Sequence, residues 1–124
     1  MKKIPKISET EWQVMKTLWL ESPMTANQVV ERLERITTWK PKTVKTLLNR
    51  LVNKKAIGFD REGRTYLYYP IVTENECRKA ESQSFLERVY GGAFNAMFVH
   101  FLQDMDLSRE EIEQLRQLLD EKCD

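Results

Sequence analysis

The sequence predicts a mainly α-helical fold with one short β-hairpin, and three observations predict it. At four helix starts Ser or Thr stands three residues ahead of Glu or Gln, apolar residues recur at helical spacing after each, and from residue 57 to 69 the period drops to two. Prolines 23, 41 and 70 and the pair Gly91-Gly92 fall between the periodic segments, where breakers belong.

The four spaced pairs are Ser8 with Glu11, Thr25 with Gln28, Thr73 with Glu76, and Ser108 with Glu111. Each has the form of a capping box, in which two side chains satisfy backbone amides that a helix start leaves unbonded. Apolar staples accompany three of them: Ile7 with Trp12, Met24 with Val29, and Leu107 with Ile112. Helices are expected over 9–21, 26–35, 74–90 and 109–122, with a further one over 93–103. Another start is marked by proline. Pro41 suits the first helical position, where its missing N–H costs nothing, and Lys40 before it is driven to extended geometry, so a helix is expected over 41–55.

That helix has two unlike faces. Val44, Leu47, Leu48, Leu51 and Val52 follow the i, i+3, i+4, i+7, i+8 template of a packed face. Lys42, Thr43, Lys45, Thr46, Asn49, Arg50 and Asn53 fill the rest without an acid among them. Side chains of these types reach phosphates and also donate to, accept from or touch base edges, which a mixed Glu/Lys face does poorly. Strands are expected at 57–60 and 64–69, bent at Asp60-Arg61-Glu62-Gly63 with Arg61 and Arg64 at the tip. Three helices and a basic hairpin in this order make a winged helix-turn-helix. Its core is expected from Trp12, Met15, Leu18, Trp19, Val29, Val30, Leu33 and Ile36 closing on Leu47 and Leu51, while Trp39 either packs or faces a DNA backbone.

Charge divides the chain. Residues 1–70 hold 14 Lys+Arg against 7 Asp+Glu, net +7, whereas residues 71–124 hold 6 against 12, net −6. The first part suits a polyanion and the second does not. The domains are read as 1–72, a winged-helix DNA-binding domain, and 73–124, a helical dimerisation domain. Phe85, Leu86, Val89, Phe94, Met97, Phe98, Phe101, Leu102, Ile112, Leu115 and Leu119, with Leu118, are more apolar surface than three short helices can bury alone. A second copy is the simplest cover, and a two-fold homodimer would present two reading helices to a palindrome.

Catalysis has little to draw on. His100 is the only histidine, and the glycines, at 58, 63, 91 and 92, form no phosphate cradle. No enzyme activity, metal or cofactor is expected. Cys77 and Cys123 have no metal-type spacing and fit a reducing cytoplasm. No apolar stretch follows Met1-Lys2-Lys3, and the longest nearly apolar run, 94–102, contains Asn95 and His100, so neither a signal peptide nor membrane insertion is expected.

Three motifs in order, Ile7-Ser8-x-x-Glu11-Trp12-x-Val14-Met15-x-x-x-Trp19, Trp39-x-Pro41-Lys42-Thr43-Val44-x-Thr46-Leu47-x-x-Arg50-Leu51 and Tyr90-x-Gly92-x-Phe94-Asn95, resemble the BlaI/MecI penicillinase repressors over about residues 7–119. The resemblance implies a dimeric winged-helix repressor on a TACA/TGTA-type operator, controlling genes such as a β-lactamase and its membrane sensor. It implies operator contacts from Lys42, Thr43, Thr46 and Arg50, with wing support from Arg61 and Arg64. Lys45 stands where relatives often carry Arg, and Lys40 where they often carry a capping Ser. The resemblance also implies relief of repression by a sensor metalloprotease that cuts within the dimerisation domain; the family's Asn-Phe bond falls here on His100-Phe101. Copper-responsive relatives share the N-terminal half but end in C-x-C, which Glu121-Lys122-Cys123-Asp124 does not match.

Alternatives are a repressor of the same fold answering copper or another signal, and a winged helix used only to dock proteins. Docking would put exposed apolar residues among Thr43, Thr46, Asn49 and Arg50, and none stands there. Double-stranded RNA is disfavoured because its deep, narrow major groove does not admit a helix.

Overall fold

A computed structural model describes residues 3–123. Its elements run α1 (Glu9–Leu20), α2 (Ala26–Glu34), α3 (Pro41–Asn53), β1 (Ile57–Glu62), β2 (Thr65–Pro70), α4 (Glu74–Tyr90), α5 (Phe94–Asp104) and α6 (Arg109–Lys122). All four capping boxes form. In each, the Ser or Thr oxygen accepts from the backbone three residues on, and the Glu or Gln side chain accepts from the cap's own amide. The start of α3 is set as expected by Pro41, with Lys40 extended at φ −81°, ψ 157° and making no side-chain cap bond.

The chain divides into two compact units, up to Ser84 and from Phe85 onward. The division falls inside α4, because the first turns of that helix belong to the first core: Cys77 is 2% exposed there. In this unit α1 packs on α2 and α3, and the apolar face of α3 supplies Val44, Leu47, Leu48 and Leu51 to a core with Val14, Met15, Leu18, Val29 and Leu33. Trp12 and Trp19 lie at its edge, edge-to-face with centroids 5.6 Å apart, and the Trp19 indole N–H donates to the Val72 carbonyl at 2.9 Å. Trp39 also packs against the core. Ile36 does not: it is 67% exposed, because α2 stops at Glu34 and the chain turns there, with the Ile36 and Thr37 amides both bonded back to the Leu33 carbonyl.

Two ties hold the C-terminal end of α3. Lys55 takes a left-handed conformation at φ 65°, so the Lys55 and Ala56 amides return to the carbonyls of Val52 and Leu51 and close the helix in a Schellman motif. At the same end, the Lys54 ammonium donates to the Glu11 carboxylate and, at 2.8 Å, to the Lys6 carbonyl. Glu11 is 2% exposed, so one carboxylate both caps α1 and receives a cation from the end of α3. Burial alone would raise the Glu11 pKa, but the bonds from Lys54 and Ser8 outweigh it and hold the carboxyl below its ordinary range.

β1 and β2 form an antiparallel ribbon with Ile57 opposite Pro70 and Glu62 opposite Thr65. The turn is therefore Gly63-Arg64, two residues long, rather than the four-residue bend expected at 60–63. Gly63 supplies the positive φ, 65°, that a tight hairpin of this kind requires at its first central position. A single bridge between Met24 and Tyr68, with bonds of 3.0 and 2.7 Å in both directions, ties the ribbon to the α1–α2 junction.

In the second unit, Gly91 and Gly92, both at positive φ, turn the chain from α4 into α5. Phe85 stacks on Phe101, and Tyr90 meets both rings edge-on. No residue of α5 or α6 is buried in the single chain.

Candidate nucleic-acid interface

The burial pattern of α3 separates its two faces as the periodicity requires. Val44, Leu47, Leu48 and Leu51 are buried, and Lys42, Thr43, Lys45, Thr46, Asn49 and Arg50 are all exposed on the other side. Thr46 turns its hydroxyl onto the Lys42 carbonyl at 2.9 Å, which leaves its methyl and an oxygen lone pair for a ligand. Lys42, Lys45 and Arg50 make no ion pair with a carboxylate among the described residues. The face is thus a set of free cations interleaved with short polar side chains on a rigid, well-anchored helix.

The wing carries further basic side chains. Arg64 lies in the two-residue turn and is exposed. Arg61 is not at the tip: it belongs to β1, opposite Tyr66, because the shorter turn draws residues 60–62 into the strand. Its guanidinium carbon lies 5.9 Å from the Tyr66 ring centroid, and its Nε donates to the Gly63 carbonyl at 3.1 Å. Phe59 stacks on Tyr66 with centroids 4.6 Å apart, and both rings are partly exposed.

One basic feature went unremarked in the sequence. An open cleft of about 650 Å³ is lined by Lys3, Pro5, Lys6, Ser8, Lys54 and Lys55. Its signals were two separate lysine groups, Lys3 with Lys6 and Lys54 with Lys55; Lys6 and Lys54 stand 48 residues apart in sequence, and only the folded chain brings them together.

The residues assigned to dimerisation lie in the second unit. Phe85, Leu86, Met97, Phe98, Phe101 and Leu115 are half-buried, and Val89, Phe94, Leu102, Ile112 and Leu119 are exposed, Phe94 by 56%. Phe98, Leu102, Ile112, Leu115 and Leu119 line an apolar cavity of about 260 Å³ between α5 and α6. His100 and Phe101 sit in mid-α5; His100 Nδ1 is 2.7 Å from the Tyr90 hydroxyl, and its Nε2 is 3.3 Å from Asp104.

A family model described as penicillinase repressor matches residues 7–121. The chain belongs to the penicillinase repressor family. The penicillinase repressor of Bacillus licheniformis is 44% identical to it over 121 residues, covering 98% of this chain and 94% of that protein. Methicillin resistance regulatory protein MecI of Staphylococcus aureus is 36% identical over 117 residues, covering 94% and 95%. A solution structure of the B. licheniformis BlaI monomeric form, in complex with the blaP half-operator, is 43% identical with a TM-score of 0.54, covering 61% of this chain and 93% of that one. Family membership and structural likeness together establish the winged helix-turn-helix. No helix among the described residues is long and apolar enough to cross a membrane.

Proposed function

We propose that this penicillinase repressor family member is a sequence-specific DNA-binding repressor of β-lactam resistance genes, which reads its operator with the exposed face of α3 and grips flanking phosphates with the wing. The acid-free face of Lys42, Thr43, Lys45, Thr46, Asn49 and Arg50 carries this reading. It lies within residues 7–121 matched by the penicillinase repressor family model, and a family structure solved with a half-operator is 43% identical over 61% of this chain. Lys and Arg at these positions neutralise phosphates and donate to guanine edges, and Thr and Asn complete base contacts that fix the register.

Occupancy depends on pairing. A second copy covers the apolar surface of α4, α5 and α6, and the dimer places two α3 helices on successive turns of one duplex, so each weak half-site contact reinforces the other. A sensor metalloprotease that cuts His100-Phe101 severs α5, dissolves the pair and empties the operator without touching α3. The protein acts in the cytoplasm, where the DNA is, and performs no catalysis itself.

The test is fluorescence anisotropy with a duplex bearing the blaP half-operator against a scrambled duplex of equal length. Preference for the half-operator is expected to be at least tenfold, about 1.4 kcal/mol. Equal binding to both duplexes overturns the reading.

A further inference from the structure

We propose that Phe59 and Tyr66 are positioning residues for Arg61: a ladder of rings climbs the wing from the core and holds the guanidinium poised for a DNA phosphate. The inference rests on the wing's role as a DNA contact. The ladder starts at Tyr68, which is 8% exposed and bridged to Met24 through both backbone bonds. Phe59 stands opposite Tyr68 in the ribbon, its ring 5.9 Å away and tilted by 55°. Phe59 then stacks on Tyr66, and Tyr66 stands opposite Arg61, whose guanidinium lies over its ring. Directly opposed residues, and those two apart, share one face of a ribbon, so the four aromatic and cationic side chains form one continuous column.

A two-stranded ribbon projecting past a core has little stiffness of its own. Phe59 and Tyr66, 41% and 42% exposed, lie along this projecting part, where they bury little core. Their rings instead supply a flat platform for a guanidinium, which stacks on aromatic faces as an ammonium does not. The bond from Arg61 Nε to the Gly63 carbonyl fixes the fork from its other side. Its terminal nitrogens have no acceptor among the described residues, which leaves them for a phosphate. Arg64, in the turn, has no such platform among the described residues. A side chain already ordered forfeits less freedom on binding, and the rings set how much affinity Arg61 delivers.

The test measures affinity for the blaP half-operator duplex by anisotropy across a salt series, with thermal melting to establish folding. Arg61→Ala is expected to weaken binding about three- to tenfold and to shrink the salt slope by about one, the signature of one lost phosphate contact. Tyr66→Ala weakens binding two- to fivefold but keeps the slope, since Arg61 still neutralises its phosphate at a larger ordering cost. Tyr66→Phe, which keeps the ring, binds like the parent. In an Arg61→Ala background, Tyr66→Ala adds nothing. Losses that add in the double variant overturn the proposal by showing that Tyr66 meets DNA itself or only supports the fold, and a Tyr66→Phe protein as weak as Tyr66→Ala overturns it by assigning the effect to the hydroxyl and not to the ring platform. An Arg61→Ala protein that binds like the parent while Arg50→Ala is impaired overturns the wing contact and the platform with it, leaving the α3 reading in place.

Discussion

Replacing Glu11 with Gln tests the tie between the start of α1 and the end of α3. The carboxylate is 2% exposed and accepts from the Ser8 amide and the Lys54 ammonium. Gln keeps the length and an oxygen for Ser8 but presents Lys54 with a neutral group. The Lys54 side chain remains 36% exposed, so water can resolvate it. The loss therefore falls below the ~3–5 kcal/mol seen when a fully buried pair loses one member. Exchanging a charge-assisted bond for a neutral one sets it at about 1–2 kcal/mol. For a unit of this size that lowers the melting temperature by roughly 5–15 °C. Glu11→Ala also removes half the capping box and costs about 1 kcal/mol more. The three tryptophans, Trp12, Trp19 and Trp39, all lie in the first unit, so fluorescence melts read its unfolding directly. Since the folded pKa of Glu11 lies below the ordinary value of 4.5, the charge stabilises the fold above that pH and the contribution is lost as pH falls through the folded value. The gap between parent and Glu11→Gln should thus be full near neutrality and close in acid. Equal melting at neutral pH, or a gap that does not narrow as pH falls below 4.5, refutes the account.

Arg50→Ala should cost about 1–3 kcal/mol on the cognate operator and less on random duplex, measured by anisotropy; equal losses would restrict Arg50 to phosphate. A chain ending at Ser84 keeps its first core and should bind a single half-site like the full chain while losing affinity for a two-half-site operator. Equal affinity for the complete operator would remove the dimer from the mechanism. Mass spectrometry of the protein from β-lactam-treated host cells should find a fragment ending at His100, and intact chain at full derepression would exclude cleavage as the switch.

Local chemistry was legible in the sequence where both partners lie within a few residues. All four capping boxes and the proline start of α3 needed only spacing, and the two faces of α3 needed only its period. Glu11 shows where that stops: its capping role is visible three residues away, whereas its partner Lys54 lies 43 residues on and only the packed helices bring it near. The wing shows a second limit. Period-two alternation marks a strand but not its end, and the alternating charges Asp60, Arg61 and Glu62 give no apolar face to fix the register, so the turn was placed too early and Arg61 too near the tip. Ile36 continued the apolar rhythm of α2 past the point where the backbone leaves the helix.

The bridge between Met24 and Tyr68 limits how the wing can be exchanged between relatives. Tyr68 is at once a rung of the ribbon, a partner of the α1–α2 junction and a buried core residue, so a graft that replaced all of β1 and β2 would also cut into the helix-turn-helix. Residues 61–66 pair only with one another along the ribbon, Arg61 with Tyr66 and Glu62 with Thr65, and carry no bridge to the helices. Tip chemistry is therefore free to diverge by substitution or grafting over those residues, while the hinge at Met24 keeps each new wing aligned with the same reading helix.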